Sequence, residues 1–326
     1  MKKVLITGVT GFIGSHLAQA LSKKKEYAVY GLVKHSASRN TEGLKPFLKD
    51  IRIKECDISD FHSVSRTLRE INPDVVVHLA ALSPVRDSFE SPISYVQANI
   101  IGTLNIAHAL TETPNFENKK MIYASTAEVY GILNDKKPAN ESRELYPSSP
   151  YAATKKMTDE YIRLLMPLLY KLNTTVMRCV NSYGRKLDTS FMVEYLVTTM
   201  LKGEKVYVGA PDSLRDYMYV DDHVNAYIKA IEHPEIRGEA FNVSTGTVLS
   251  NKELAFKIAD IIGYDKKMIV LGQYPPGYPS RPLQSDQPFI NLDSSKIRKK
   301  MGWAHTVELD EGLKRTVAYW KEKLNV

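Results

Sequence analysis

The sequence predicts an α/β protein: a doubly wound parallel sheet followed by a smaller, mixed α/β C-terminal region. Two observations predict it. From residue 1 to about 180, short apolar runs (4–6, 28–33, 51–56, 75–80, 121–124 and 175–179) alternate with amphipathic stretches such as 63–71, 92–111 and 151–172. Parallel strands need a crossover between them, usually a helix, so this alternation implies a parallel sheet covered on both faces. After about 180 the rhythm loosens. Segments rich in Gly, Pro and Asp at 209–216 and 274–288 separate shorter elements at 251–262, 294–301 and 309–324. The chain therefore divides into a region 1–180 and a capping region 181–326, with 206–208 and 241–243 expected to return as strands to the main sheet. Ligands of such sheets sit beyond the carboxyl ends of the strands.

The first apolar run breaks into Gly8-Val9-Thr10-Gly11-Phe12-Ile13-Gly14 and re-emerges as a helix. Gly8 permits the tight turn, Gly11 lets the backbone approach a pyrophosphate, and Gly14 allows close packing of helix on strand. The helix N-terminus then offers N–H groups and a partial positive charge to phosphates. The second run ends in Lys34, with Ser36 and Arg39 close behind and no acidic residue. An NAD site usually places an acid there on the ribose 2′-hydroxyl. Lys34, Ser36 and Arg39 instead suit a 2′-phosphate, so NADP is the expected cofactor and NAD the rival.

The fourth run ends His78-Leu79-Ala80-Ala81, where small side chains leave room for a flat cofactor. The fifth ends Ala124-Ser125-Thr126-Ala127-Glu128, which brings a hydroxyl and a carboxylate to the ligand edge. Ser149-Pro150-Tyr151-Ala152-Ala153-Thr154-Lys155 then opens a long helix. Tyr151 and Lys155 are four apart and share one face. An ammonium beside a phenol favours phenolate, so the spacing predicts a lowered Tyr151 pKa and a usable acid–base group.

Composition narrows the field. At 43% hydrophobic and 25% charged, the chain is an ordinary globular protein, and no apolar run approaches the ~18 residues of a membrane helix. The opening Met1-Lys2-Lys3 runs into Gly8, Thr10 and Gly11 rather than a signal-peptide core, so a cytoplasmic protein is expected. Cys56 and Cys179 lack metal-ligand spacing and read as buried thiols, and the eight histidines form no cluster, so no metal is expected. The net charge of +7 is scattered, which fits anionic small molecules better than nucleic acid.

These motifs, in this order, resemble the extended short-chain dehydrogenase/reductase family, specifically its nucleotide-sugar epimerases and dehydratases. The resemblance spans nearly the whole chain. It takes in the glycine turn, Asp57 and Ile58, His78 to Ala81, Asn99 with Gly102-Thr103, Thr126, Tyr151 and Lys155. It continues through Asn181-Ser182-Tyr183-Gly184, Arg215-Asp216-Tyr217, Arg281-Pro282, Leu292-Asp293 and Gly302-Trp303. It implies a Rossmann-type dinucleotide domain over 1–180 and a nucleotide-sugar region over 181–326. Gly8, Gly11, Phe12, Ile13, Gly14, Asp57, Ile58, Leu79, Ala80, Ala81, Asn99, Tyr151 and Lys155 would then contact the cofactor. Ser83, Thr126, Asn181, Arg215 and Arg281 would contact the sugar nucleotide, the arginines through its diphosphate. A homodimer or homotetramer, paired through helices 92–111 and 151–172, is implied as well.

The family chemistry assigns Tyr151 the proton of the sugar 4-hydroxyl as a hydride leaves C4, Thr126 a hydrogen bond to the same oxygen, and Lys155 the tuning of Tyr151. Glu128 then separates the possible reactions. A 4,6-dehydratase needs a base for the C5 proton, and simple 4-epimerases usually lack a carboxylate at this position. Thr126-Ala127-Glu128 resembles the Thr-x-Glu of GDP-mannose 4,6-dehydratases, whereas dTDP-glucose 4,6-dehydratases carry Thr-Asp-Glu. GDP-mannose is therefore the favoured substrate. A nucleotide-sugar 4-epimerase and a 4-keto-6-deoxy-sugar reductase remain as alternatives.

Overall fold

Val4, Leu5 and Ile6 are all fully buried, and their side chains alternate between two separate cores, Val4 and Ile6 in one and Leu5 in the other. A strand with this pattern must be covered on both faces, which is why its sequence reads as a continuous apolar run. The computed structural model, which describes residues 1–34, 41–234, 236–278, 282 and 285–326, shows this strand in the interior of a seven-stranded sheet. Strands β1 (Lys2–Thr7), β2 (Tyr27–Val33), β3 (Ile51–Glu55), β4 (Val75–His78), β5 (Lys120–Thr126) and β6 (Asn173–Cys179) are the six expected. The seventh, Glu239–Val243, pairs with β6, so 241–243 does return to the main sheet.

The strand order is Glu239–Val243, β6, β5, β4, β1, β2, β3, and every pairing is parallel. The chain winds outward from β1 in both directions, which opens a crevice between the ends of β1 and β4. Helices Phe12–Ser22 and Val220–Glu232 cover one face, and Phe61–Ile71 and Gly102–Thr111 the other.

The two long helices are present but interrupted. A wide, π-type turn at Val96–Ile101 divides the first, and another at Tyr161–Leu165 divides the second. Pro167 accounts for the latter, because its ring lacks an N–H and clashes with the carbonyl four residues back. Val206–Val208 departs from expectation. It pairs with Ile269–Leu271 in a separate two-stranded sheet. Its valines belong to a third core, made with Leu196, Val197, Leu254 and Ile258, rather than to either core flanking the main sheet.

That third core unites helices Met192–Leu201, Asn251–Ile262 and Leu309–Leu324. Asp222 ties the C-terminal segment to helix Val220–Glu232: its carboxylate accepts from Thr306 N at 2.8 Å and Val307 N at 3.0 Å, and its carbonyl accepts from Trp303 Nε1 at 3.0 Å. Cys56 and Cys179 are buried free thiols. Among the described residues, no helix is long and apolar enough to cross a membrane, and no His, Cys, Asp and Glu cluster suits a metal ion.

Candidate active site

The glycine turn is shaped by what a side chain there would strike. Gly8 has φ +68°, and a Cβ on it would lie 2.8 Å from Ala80 N. A Cβ on Gly14 would lie 2.2 Å from Gly8 O, so the helix packs on the turn as the sequence predicts. Gly11 caps the helix without a side-chain hydrogen bond, and the first turn carries no acidic residue. The N–H groups of Phe12, Ile13 and Gly14 are left to the cleft that these residues line. A turn this tightly closed to side chains and this rich in donors fits the pyrophosphate of a dinucleotide.

Next to it, the end of β4 is pinned to β1. Thr7 Oγ1 lies 2.7 Å from His78 Nδ1 and accepts from Leu79 N and Ala80 N at 3.2 and 3.1 Å. His78 Nε2 in turn lies 2.9 Å from Thr103 Oγ1. Leu79, Ala81 and Ser83 line the cleft beyond, while Ala80 backs Gly8. Asn99 departs from its expected cofactor role. It is fully buried, accepts from Leu82 N at 2.8 Å and donates to Leu82 O at 3.0 Å and Thr154 Oγ1 at 3.1 Å. Its hydrogen-bonding capacity is spent on holding the loop after β4.

Across the cleft, Thr126 caps the short turn after β5, its Oγ1 accepting from Glu128 N at 3.2 Å. Ser149 caps the helix that presents Tyr151, accepting from Ala152 N at 3.1 Å, with Pro150 at its first position. Thr126, Glu128, Tyr151 and Lys155 all line one cleft of about 330 Å³, together with the glycine turn and Asn181. Gln287, which sequence reasoning missed, donates from Nε2 to Glu128 Oε2 at 2.9 Å and to Ser148 Oγ at 3.1 Å.

The expected lowering of the Tyr151 pKa is not what the structure gives. Burial, with the Glu128 charge added, pushes the phenol above its ordinary value, and only a hydrogen bond with Thr126 opposes them. Lys155 is turned elsewhere, donating to Ala124 O at 2.8 Å with its Nζ 4.9 Å from the Tyr123 ring centre. Burial lowers its own pKa to about 8.

Other expected residues stand outside the cleft-lining set. Lys34, 71% exposed, is ion-paired with Asp57 at 2.9 Å, which neutralises a charge expected to serve a 2′-phosphate. Ile58 packs where a Cβ on Gly102 would lie, 2.7 Å from its Cδ1. Arg215 donates to Leu214 O at 2.9 Å and faces Asp286 Oδ1 at 3.7 Å. Ser36, Arg39 and Arg281 lie outside the described residues. Conversely, Arg185, Glu194, His223 and Tyr227 line the cleft unannounced by any local motif, and Ser182 and Tyr217 line it from motifs that carried the resemblance without being assigned a role.

Known proteins share this fold. A profile of the GDP-mannose 4,6 dehydratase family matches residues 5–316. The dTDP-glucose 4,6-dehydratase of Shigella flexneri is 28% identical over 349 residues, covering 99% of this chain and 94% of its own. Two solved structures superpose along the full length. The UDP-glucose 4-epimerase of Thermotoga maritima, holding UDP-glucose, gives a TM-score of 0.87 at 32% identity over 99% of both chains. DesIV, the dTDP-glucose 4,6-dehydratase of Streptomyces venezuelae with NAD and TYD bound, gives 0.88 at 27% identity over 99% of this chain and 98% of its own. With a sheet, a glycine turn and a cleft of this kind, and a match across nearly its entire length, the chain belongs to the GDP-mannose 4,6 dehydratase family of nucleotide-sugar dehydratases and epimerases.

Proposed function

We propose that this protein is a nucleotide-sugar 4,6-dehydratase, with GDP-mannose as its favoured substrate. The observation that carries the reading is the Glu128 carboxylate, lining the same cleft as Thr126 and Tyr151 and fixed by Gln287. A bound nicotinamide dinucleotide would supply the hydride acceptor at C4 and return that hydride at C6. The protein's own groups handle the protons. Tyr151 takes the 4-hydroxyl proton at its phenol oxygen while Thr126 Oγ1 orients the same sugar oxygen. Lys155 brings positive charge to the same cleft, and a proton acceptor at Tyr151 requires that charge, with the Thr126 hydrogen bond, to offset the burial and the Glu128 charge that favour the neutral phenol. Glu128 removes the C5 proton, which the adjacent ketone acidifies, and delivers it to the C6 hydroxyl so that water leaves; once the hydride is back at C6, C5 regains a proton from solvent and Tyr151 gives up to solvent the one it took.

Residues 1–180 would hold the dinucleotide and 181–326 the sugar nucleotide, through Ser83, Asn181, Arg215 and Arg281. The lack of an acid at the end of β2 supports NADP. The Lys34–Asp57 pair and the NAD seen in the DesIV structure support NAD, so both are titrated. Exposed Ile93, Leu164, Leu168 and Leu169 on the two interrupted helices supply an apolar face for a homodimer or homotetramer.

A second reading, a nucleotide-sugar 4-epimerase, is favoured by Ala127, which offers no acid to a leaving hydroxyl, and by the 32% identity to a UDP-glucose 4-epimerase. Mass spectrometry separates the two. The purified protein is incubated with GDP-, UDP-, dTDP- and CDP-sugars and catalytic NADP or NAD. A product lighter by one water supports the dehydratase, and an isomer of unchanged mass overturns it.

A further inference from the structure

The cleft holds a second polar cluster that the chemistry above does not use. Ser182 joins it together: its carbonyl accepts from Arg185 Nη1 at 2.6 Å, and its Oγ lies 2.6 Å from His223 Nδ1. The His223 ring stacks on Tyr227, with 5.3 Å between centres and 20° between planes, and is only 6% exposed. Its Nε2 has no hydrogen-bond partner. A buried polar atom left in this state, in a ring that lines a ligand cleft, marks a position where something from the cleft completes the bond.

The surroundings select an anion. The Arg185 guanidinium lies over two rings, its Cζ 4.4 Å from the centre of Phe12 and 3.5 Å from that of Phe191. Phe12 is the first residue of the helix that follows the glycine turn, so a guanidinium, itself paired with the buried Glu194 carboxylate at 3.5 Å, stands beside a helix N-terminus. The helix carrying His223, Val220–Glu232, packs against that same helix. The Ser182 hydroxyl also reaches Val180 O, at 3.5 Å; assigning its hydrogen to Nδ1, the nearer acceptor at 2.6 Å, leaves the hydrogen of the neutral ring on Nε2. Burial and the Arg185 charge keep the ring neutral, with its pKa lowered to about 3.

We propose that His223, oriented by Ser182, donates from Nε2 to a phosphate oxygen of the bound dinucleotide, with Arg185 supplying charge beside it. The pyrophosphate is then held from two sides, by the glycine turn and by the C-terminal region. His223 is a binding residue in this assignment and Ser182 a positioning residue. The assignment rests on the dinucleotide-binding part of the function proposed above and is independent of which sugar reaction follows.

The test is calorimetric titration of nucleotide-free protein with a matched pair of ligands. These are NAD and ADP-ribose or, if the wild type holds NADP more tightly, NADP and 2′-phospho-ADP-ribose. Each second member keeps both phosphates and lacks the nicotinamide. His223→Phe keeps the ring on Tyr227 and removes the donor. It is expected to weaken both members by roughly ten- to a hundredfold, the size of a hydrogen bond to a charged group. His223→Gln, which restores an N–H donor, should recover part of the loss. Weakening of the intact dinucleotide alone would overturn the assignment and give Nε2 to the nicotinamide. Unchanged affinity for both would overturn it in favour of a water. Should His223→Phe fail to fold, Ser182→Ala carries the same test: a smaller parallel loss supports the proposal, and unchanged affinities overturn it. A wild-type protein that bound neither dinucleotide would defeat the underlying reading instead, an outcome distinct from the others.

Discussion

The two sides of the cleft are built in different ways. The side made by residues 1–180 comes from short segments, each complete in itself: a turn of seven residues, a β5 end with Thr126 and Glu128, and a helix that sets Tyr151 and Lys155 on one face. The side made by 181–326 comes from single side chains, Ser182, Arg185, Glu194 and His223, on a short strand, a loop and two helices. On the proposed reading the first side carries the groups that move protons. The second carries groups that hold other groups in place, and its loss should be graded rather than total.

The largest effect should come from the first side. Tyr151→Phe removes the proton acceptor while leaving packing against Tyr95 intact, and kcat should fall by about 10²- to 10⁴-fold. Dinucleotide affinity, measured in the same preparation, should change little. A variant that kept full turnover would show that the two sides do not divide the work in this way.

Glu128→Gln comes next and tests the reaction itself. Loss of water elimination by about 10²-fold, with exchange of the C4 hydrogen retained, is the dehydratase outcome. An unaffected variant that yields an isomer makes Glu128 structural and favours the epimerase.

How much was legible follows from sequence distance. The glycine turn could be read because Gly8, Gly11 and Gly14 act on one another within seven residues, and the clashes at Gly8 and Gly14 show the close packing that reading requires. Strands β1, β2 and β4 could be read because burial on both faces leaves an apolar run, whereas β3, at the sheet edge, is mostly not buried and shows only as alternating isoleucines. Gln287 could not, because the group it holds lies 159 residues earlier, and His223 takes its partner 41 residues away. Asn99 and Arg215 were assigned to ligands by resemblance, whereas their observed partners are Leu82 and Thr154 for one and Leu214 and Asp286 for the other. The Tyr151–Lys155 spacing gave the shared face correctly but not the electrostatics, since burial outweighs any help from an ammonium that points at Ala124.

Gln287→Leu should give an intermediate effect and sharpen the distinction between moving a proton and holding the group that moves it. The lost bond is to a carboxylate, so kcat should drop by roughly tenfold or somewhat more, with KM nearly unchanged. Equal losses in KM and kcat, or collapse of the fold in thermal melts, would place Gln287 in the scaffold alone.

The smallest effect concerns stability, and it sets one buried histidine from each side against the other. His78 and His223 are both neutral in the fold, with pKa values lowered from 6.5 to about 3, chiefly by burial, and further by the Lys155 charge at His78 and the Arg185 charge at His223. The unfolded chain takes up protons that the folded one does not. Their contribution is therefore complete above about pH 6.5 and is lost as pH falls toward 3. Each group adds at most about 1.4 kcal/mol per pH unit to that loss. His78 has partners on both nitrogens, Thr7 and Thr103, so ligand should leave its share alone. A phosphate at His223 Nε2 opposes the Arg185 charge and should raise that pKa, which flattens the acid slope by up to the His223 share. Urea midpoints between about pH 7 and pH 5, with and without saturating ADP-ribose, measure this. In the wild type the ligand should reduce the slope as well as raise the midpoint, and in His223→Phe it should only raise the midpoint. Equal slopes with and without ligand in the wild type would mean that no anion reaches His223 and that the second side of the cleft holds the dinucleotide by other atoms.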